Sequence, residues 1–317
     1  MQTEQQTITD AVISAIDHDQ IELPTLPDVA VRIRDLIDDP NVWVDHLVHA
    51  LSTDPVVSVH VIKAANSAAF ANGKAVDTLR SAISRLGYRM LRNVVMTVTL
   101  GKLFKASHPL INHQIKALWE HSREVAAVSY VLARQHRHLN PEQAMLAGLV
   151  HDIGALPLYL DAERHCSHLD PATLDVLIGT FSSQVGTRLL KSWDFSAELI
   201  GVAAGHDDLQ RVNDSGLPDY VDVVTLANLL VREANTPVEW ELVLAAARLG
   251  YGPEECRSFL ADHEEHLTAV LSMLGLPALK SKAATDNAGK SSPRAAPPPI
   301  ARHTESGILS GLRRFFS

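Results

Sequence analysis

Three residues near the middle of the chain have the types and spacing for metal chemistry. His121 lies within one stretch of helical periodicity, and the adjacent pair His151-Asp152 stands at the end of a later one. An adjacent His-Asp pair can direct one imidazole and one carboxylate into a shared pocket. With a histidine from a neighbouring helix, such residues make a ligand set for a hard or borderline divalent metal. A metal held there would lower the pKa of a bound water and present hydroxide to a phosphoester. The same residues have a plainer reading. The chain holds 16 histidines, and a second such pair occurs at His206-Asp207. A histidine inside a helix can equally be a hydrogen-bonded structural residue. Spacing alone leaves both readings open.

The elements that must position these residues read as helices. Val29, Ile33, Leu36 and Ile37 share one helical face, opened by Pro27-Asp28 and closed by Asp39-Pro40. A second helix is predicted around Trp43–Leu51. Asp54-Pro55 reads as an N-cap with proline at the first helical position, starting a helix through Val56, Val59, Ile62 and Lys63 to Asn66. Asp77 is expected to cap a helix with Leu79, Ile83 and Leu86 inward and Gly87 at its end. Longer helices follow over 88–104 and 115–136, the second burying Leu118, Val125, Val128 and Leu132. Asn140-Pro141 opens the helix that runs into His151-Asp152 and stops near Gly154, with Gln143 placed to close a capping box. Asp170-Pro171 opens another. Helices over about 181–193, 196–205, 219–235, 239–249 and 254–274 complete the pattern.

Composition supports an all-α reading. The chain has 317 residues, 46% of them hydrophobic but only 5% aromatic, so its core is built from Leu, Val, Ile and Ala. That suits packed helices better than strands. A formal net charge of -9 disfavours a nucleic-acid partner. Arg80, Arg85, Arg89 and Arg92 cluster weakly and are expected to form a solvated helix face. Cys166 and Cys256 form neither a disulfide framework nor a zinc pattern and are expected to be reduced thiols. The first ten residues lack a signal-peptide pattern, and no apolar run approaches the ~20 residues needed to span a bilayer. The expected location is the cytoplasm. Asn66-Ser67, after a helix, reads as a C-cap rather than a partner contact.

Beyond Pro277 the character changes. Residues 280–303 are rich in Ala, Pro, Ser and Lys and are expected to be a disordered linker. Ile308, Leu309, Leu312, Phe315 and Phe316 then share one helical face, with Arg313 and Arg314 between them. This peptide is read first as docking on a partner, next as folding back on its own domain, and last as a weak membrane-surface contact.

Several motifs, taken in order, resemble the HDOD domain, an HD-related output domain of bacterial signalling proteins. They are Leu23-Pro24-Thr25-Leu26-Pro27, Asp54-Pro55, Ala64-Ala65-Asn66-Ser67-Ala68, Ala82-Ile83-Ser84-Arg85-Leu86-Gly87, Leu91-Arg92-Asn93-Val94-Val95, Trp119-Glu120-His121-Ser122 and Ala147-Gly148-Leu149-Val150-His151-Asp152-Ile153-Gly154. The resemblance spans about residues 19–214. It implies a helical bundle related to HD-type metal phosphohydrolases, including cyclic-di-GMP phosphodiesterases. In those catalytic relatives the ligands are a helix histidine, the His-Asp pair, further histidines and a late aspartate. His121, His151 and Asp152 match. Ser182 stands where a histidine is expected, Gly205-His206 where two histidines are, and Asn228 where the aspartate is. A pocket lacking that carboxylate and two imidazoles cannot form a two-metal clamp.

The expectation is therefore an all-α, HD-like helical bundle with additional C-terminal helices and a disordered tail. Its divisions are an N-terminal helix or extension over 1–18, the HDOD domain over 19–214, a helical extension over 215–275, a disordered linker over 276–305 and the amphipathic peptide over 306–317. The reading it favours is a non-enzymatic regulator without a cofactor, bound to other signalling proteins of two-component or cyclic-dinucleotide systems. The alternative is a metal-dependent phosphohydrolase of a nucleotide or cyclic dinucleotide, with His121, His151, Asp152 and His206 as ligands and Asn228 as a neutral oxygen donor.

Overall fold

A computed structural model describes residues 21–71, 73–165, 171–213, 215–233 and 237–279. Among these residues the regular structure is entirely helical: α1 (Asp28–Asp38), α2 (Val44–Ser52), α3 (Pro55–Ala65), α4 (Leu79–Leu100), α5 (Pro109–Ala133), α6 (Pro141–Val150), α7 (Ala155–His165), α8 (Pro171–Ser192), α9 (Ala197–Gly205), α10 (Tyr220–Arg232), a 3-10 turn at Trp240–Leu242, α11 (Leu244–Arg248), α12 (Pro253–Asp262) and α13 (Glu264–Met273). No described helix is long and apolar enough to cross a membrane. The N-terminal extension, nearly all of the expected linker, the amphipathic peptide and Cys166 lie outside the described residues.

Local chemistry accounts for most boundaries. The Asp54 carboxylate accepts from the Val56 and Val57 amides at 3.0 and 3.1 Å, with Pro55 at the first helical position. α3 buries Val57, Val61, Ala64 and Ala65, leaving Val56 and Val59 outward. Thr78, not Asp77, caps α4, because its hydroxyl is the one that accepts from the Ser81 amide. Gly87, with φ 74 and ψ 164, kinks this helix instead of ending it, and the second half stops at Leu100. α5 starts at Pro109, ahead of the expected 115, because proline suits a first turn whose N–H groups lack helical acceptors.

Asn140 caps α6 as expected, its Oδ1 accepting from the Gln143 amide at 2.8 Å. The Gln143 side chain does not close a box; its Oε1 accepts from Arg92 at 2.9 Å. α6 ends at Val150, and His151–Gly154 form a turn into α7, a helix absent from the sequence reading. α8 is one helix where two were expected. The expected 239–249 helix is a 3-10 turn and a short helix, and 254–274 is broken at His263, whose φ is -115 and ψ 17. Packed structure also runs past 275. Gly275 turns at φ 75, the Leu276 amide donates to the Leu271 carbonyl at 2.8 Å, and Leu276 is buried. This is a glycine-terminated helix end with an apolar residue folded back beneath it.

Of the four arginines, Arg80 and Arg89 are exposed, while Arg85 and Arg92 are half-buried. Arg85 braces the loop after α3, donating to the Lys74 carbonyl at 2.7 Å and to Asn66 Oδ1 at 3.3 Å. Asn66 also exchanges two bonds with the Val76 backbone, and the Ser67 hydroxyl caps the Ala64 carbonyl. The pair therefore serves the fold through side-chain-to-backbone bonds. Cys256 is a free, buried thiol, and burial, with Glu233 and Glu255 nearby, pushes it up to about 11. Such a thiol is unreactive at neutral pH.

α5 is the central helix. It packs against α6, α7, α10 and α13, and one continuous apolar core runs from Ile21 to Leu276. The buried residues described within 215–275 belong to this same core. Two glycines allow the backbone to lie close against a neighbouring helix. A Cβ on Gly148 would lie 2.8 Å from the Ala126 Cα of α5. A Cβ on Gly154 would lie 2.0 Å from the Ser182 carbonyl oxygen and 2.3 Å from the Gly186 nitrogen of α8. The turn carrying His151 and Asp152 is thereby seated directly on α8.

Candidate functional site

Four elements converge on one buried carboxylate. α5 supplies His121, the turn after α6 supplies His151 and Asp152, the end of α9 supplies His206, and α10 supplies Asn228 and Arg232. His121, His151, Asp152, His206 and Asn228 are all buried. The sequence reading named these five, and the structure brings them together.

Each imidazole is held differently. The His151 Nδ1–H donates to the Gly148 carbonyl at 2.8 Å, which directs Nε2 toward Asp152. That Nε2 lies 3.2 Å from Asp152 Oδ2 yet has no hydrogen-bond partner. The two groups are close enough to pair by charge, but their geometry is not that of a hydrogen bond. His206 faces acceptors on both sides. Its Nδ1–H donates to the Val202 carbonyl at 3.0 Å and its Nε2–H to Asp152 Oδ1 at 3.1 Å, with Asp207 Oδ2 at 3.4 Å. Burial lowers the His206 pKa, but Asp207 and Asp152 outweigh it and push the ring up to about 9. His206 is therefore an imidazolium at neutral pH.

His121 is the opposite case. Burial, reinforced by His151 and Arg232, lowers it to about 3 against the opposing pull of Asp152 and Asn228. Its Nε2 is 2.9 Å from Asn228 Oδ1 and 3.9 Å from Asp152 Oδ2. Burial tends to raise the Asp152 carboxyl, but His151 and His206 hold it well below the usual carboxylate range.

Arg232 escaped the sequence reading. Its Nη2 lies 3.8 Å from Asp152 Oδ2, and the side chain is mostly buried. The available signal was its position one helical turn after Asn228, which places both on one face of α10. α10 itself is tied to the end of α9 by the Thr225 hydroxyl, which donates to the His206 carbonyl at 2.9 Å.

Ser182 and Gly205 are less involved. Ser182 is buried on α8 with its carbonyl over Gly154, and a Cβ on Gly205 would meet Val221 and Arg211. Ile308, Leu309, Leu312, Arg313, Arg314, Phe315 and Phe316 lie outside the described residues.

Ligand atoms of His121, His151 and Asp152 lie within 4.8 Å of one another, and so do those of Asp152, His206 and Asp207. Proximity is thus adequate for a metal, but the donor set is not. In the first group the single carboxylate oxygen already faces a guanidinium, and the His121 Nε2 is engaged by a neutral amide. In the second the imidazole carries two protons and has no lone pair to give. A divalent cation would enter beside two resident positive charges, with Asp152 as its one fully buried carboxylate. These residues do not fit a binuclear hydrolytic centre.

The comparisons with known proteins agree on the fold. An uncharacterised protein of Treponema pallidum (strain Nichols) is 24% identical over 259 residues, covering 75% of this chain and 47% of the relative. The chain thus spans about half the length of that curated relative. A crystal structure from Shewanella amazonensis SB2B, named as a candidate metal-dependent phosphohydrolase, superposes with a TM-score of 0.71 at 24% identity. It covers 86% of this chain and 98% of its own. An HDOD domain protein of unknown function from Geobacter sulfurreducens superposes with a TM-score of 0.60 at 23% identity, covering 86% of this chain and 99% of its own. At these identities the likeness concerns fold alone. α10, which supplies Asn228 and Arg232, lies beyond the 23–209 stretch that the HDOD domain family model matches. That match takes in more than half of the sequence, so the chain belongs to the HDOD domain family.

Proposed function

We propose that this chain is a non-catalytic regulatory protein that acts through protein–protein contacts of its HDOD bundle and carries no cofactor. Its partners in this proposal are other signalling proteins, with two-component and cyclic-dinucleotide systems as the natural classes. The observation that carries the reading is the 2.9 Å contact between His121 Nε2 and Asn228 Oδ1. A hydrolase of this architecture would need a carboxylate at 228, sharing a cation with His121. A neutral amide instead occupies the imidazole nitrogen that would bind the ion, whichever of the two groups donates.

The test is turnover. Purified full-length protein with added manganese is assayed against cyclic dinucleotides and bis(p-nitrophenyl) phosphate. The proposal expects rates indistinguishable from those of His151→Ala and partner proteins recovered by affinity purification. Turnover that His151→Ala abolishes would establish the second reading, a metal-dependent phosphohydrolase. One feature favours that second reading: the unpartnered His151 Nε2, oriented as a metal ligand by its Nδ1–H bond to Gly148. The amphipathic peptide over 306–317 extends the partner surface in this proposal. Its deletion is expected to weaken co-purification, and unchanged recovery and localisation would remove it from the account.

A further inference from the structure

Asp152 Oδ2 is surrounded by His151 Nε2 at 3.2 Å, Arg232 Nη2 at 3.8 Å and His121 Nε2 at 3.9 Å. The His151 Nδ1–H is committed to the Gly148 carbonyl, and its Nε2 has no hydrogen-bond partner. A carboxylate held out of water needs positive charge beside it. The His206 imidazolium serves Oδ1, and the group on the Oδ2 side is the Arg232 guanidinium. Its Nε–H is buried without an acceptor, and its ion pair among the described residues is with Asp152. It is therefore held at the site by charge and not by a fork of hydrogen bonds.

We infer that Arg232 is a resident cation that takes the electrostatic place of a metal ion, so that the pocket folds around Asp152 without one. The inference rests on the reading of this site as unsuited to a divalent ion. It goes further by naming the residue that keeps the ion out. Asn228 and Arg232 share a face of α10, so one helix supplies both the neutral amide and the replacement charge. Removing the guanidinium would leave Asp152 Oδ2, His121 and His151 with no cation on their side of the carboxylate, a mononuclear ligand set, while His206 still pairs with Oδ1.

The test compares full-length wild type, Arg232→Met and Arg232→Lys by thermal unfolding with and without manganese chloride, and by metal content after dialysis. Without metal, Arg232→Met is expected to melt lower by roughly 5 °C. Manganese should recover at least half of that loss and remain bound at near one ion per chain. Arg232→Lys, which keeps a charge, should melt close to wild type and bind no ion. If Arg232→Met does not fold, Arg232→Gln, equally uncharged but polar, gives the same comparison. An uncharged variant that manganese neither stabilises nor occupies overturns the inference and leaves the non-catalytic reading intact. A stoichiometric ion in wild type overturns both.

Discussion

The seating of the His151–Gly154 turn on α8 predicts a sharp contrast between two glycine substitutions. An alanine at 154 would place its Cβ 2.0 Å from the Ser182 carbonyl oxygen and 2.3 Å from the Gly186 nitrogen. Both neighbours are backbone atoms of a long helix, so neither can rotate away. Reaching even the closest approach that real Cβ atoms make, about 3.0 Å, requires α8 to retreat by roughly 1 Å. Such a shift would loosen Val185, Leu189 and Leu190, all buried on that helix. Overpacking of this kind costs about 3 kcal/mol, which lowers the melting temperature of a domain of this size class by roughly 6–12 °C. Gly179 provides the control on α8, since nothing lies within 4 Å of its Cβ position. Gly179→Ala should gain up to about 1 kcal/mol of helix propensity and melt slightly higher. Thermal unfolding followed by far-UV circular dichroism measures both. A Gly154→Ala protein that melts like wild type would refute the packing argument.

Other consequences concern stability. Asp222 is fully buried and bonds Arg211 at 2.8 Å and Arg248 at 3.1 Å, so Asp222→Asn should cost roughly 3 kcal/mol in denaturant unfolding at neutral pH. Burial tends to raise the Asp222 pKa, but Arg248 and Arg211 hold it below 3.8. Its stabilising effect is complete above that unfolded value and is lost as pH falls through the lower folded one, so the gap between wild type and Asp222→Asn should narrow in acid. A gap constant down to acid unfolding would contradict the pairing. Asp194, at φ 57, occupies the left-handed region that favours glycine, and Asp194→Gly is expected to stabilise by about 0.5 kcal/mol in the same unfolding assay.

The helical architecture was legible because caps and prolines act locally. Asp54-Pro55, Asn140-Pro141 and Gly275 mark helix ends through their own backbone chemistry, and the first two were read from sequence. α7 was missed because it follows Gly154 without a capping residue and has Pro157 in its first turn, where helix hydrogen bonds are absent anyway. The reading of 276 as linker overlooked that Leu276 is held by tertiary contact, which residue composition does not register. At the site, the five converging residues followed from motif order. Arg232 did not, because its role depends on α10 lying against α5 and α6, a matter of packing and not of spacing. The half-burial of Arg85 and Arg92 was hidden for the same reason.

In the proposed reading this pocket balances Asp152 with its own protein charges and leaves no place for a hydrolytic metal centre. Metal content of the purified wild-type chain, measured by mass spectrometry after equilibration with manganese or zinc and exhaustive dialysis, tests it most directly. Far less than one ion per chain is expected. One or two tightly held ions, released when His151 or Asp152 is replaced by alanine, would contradict it.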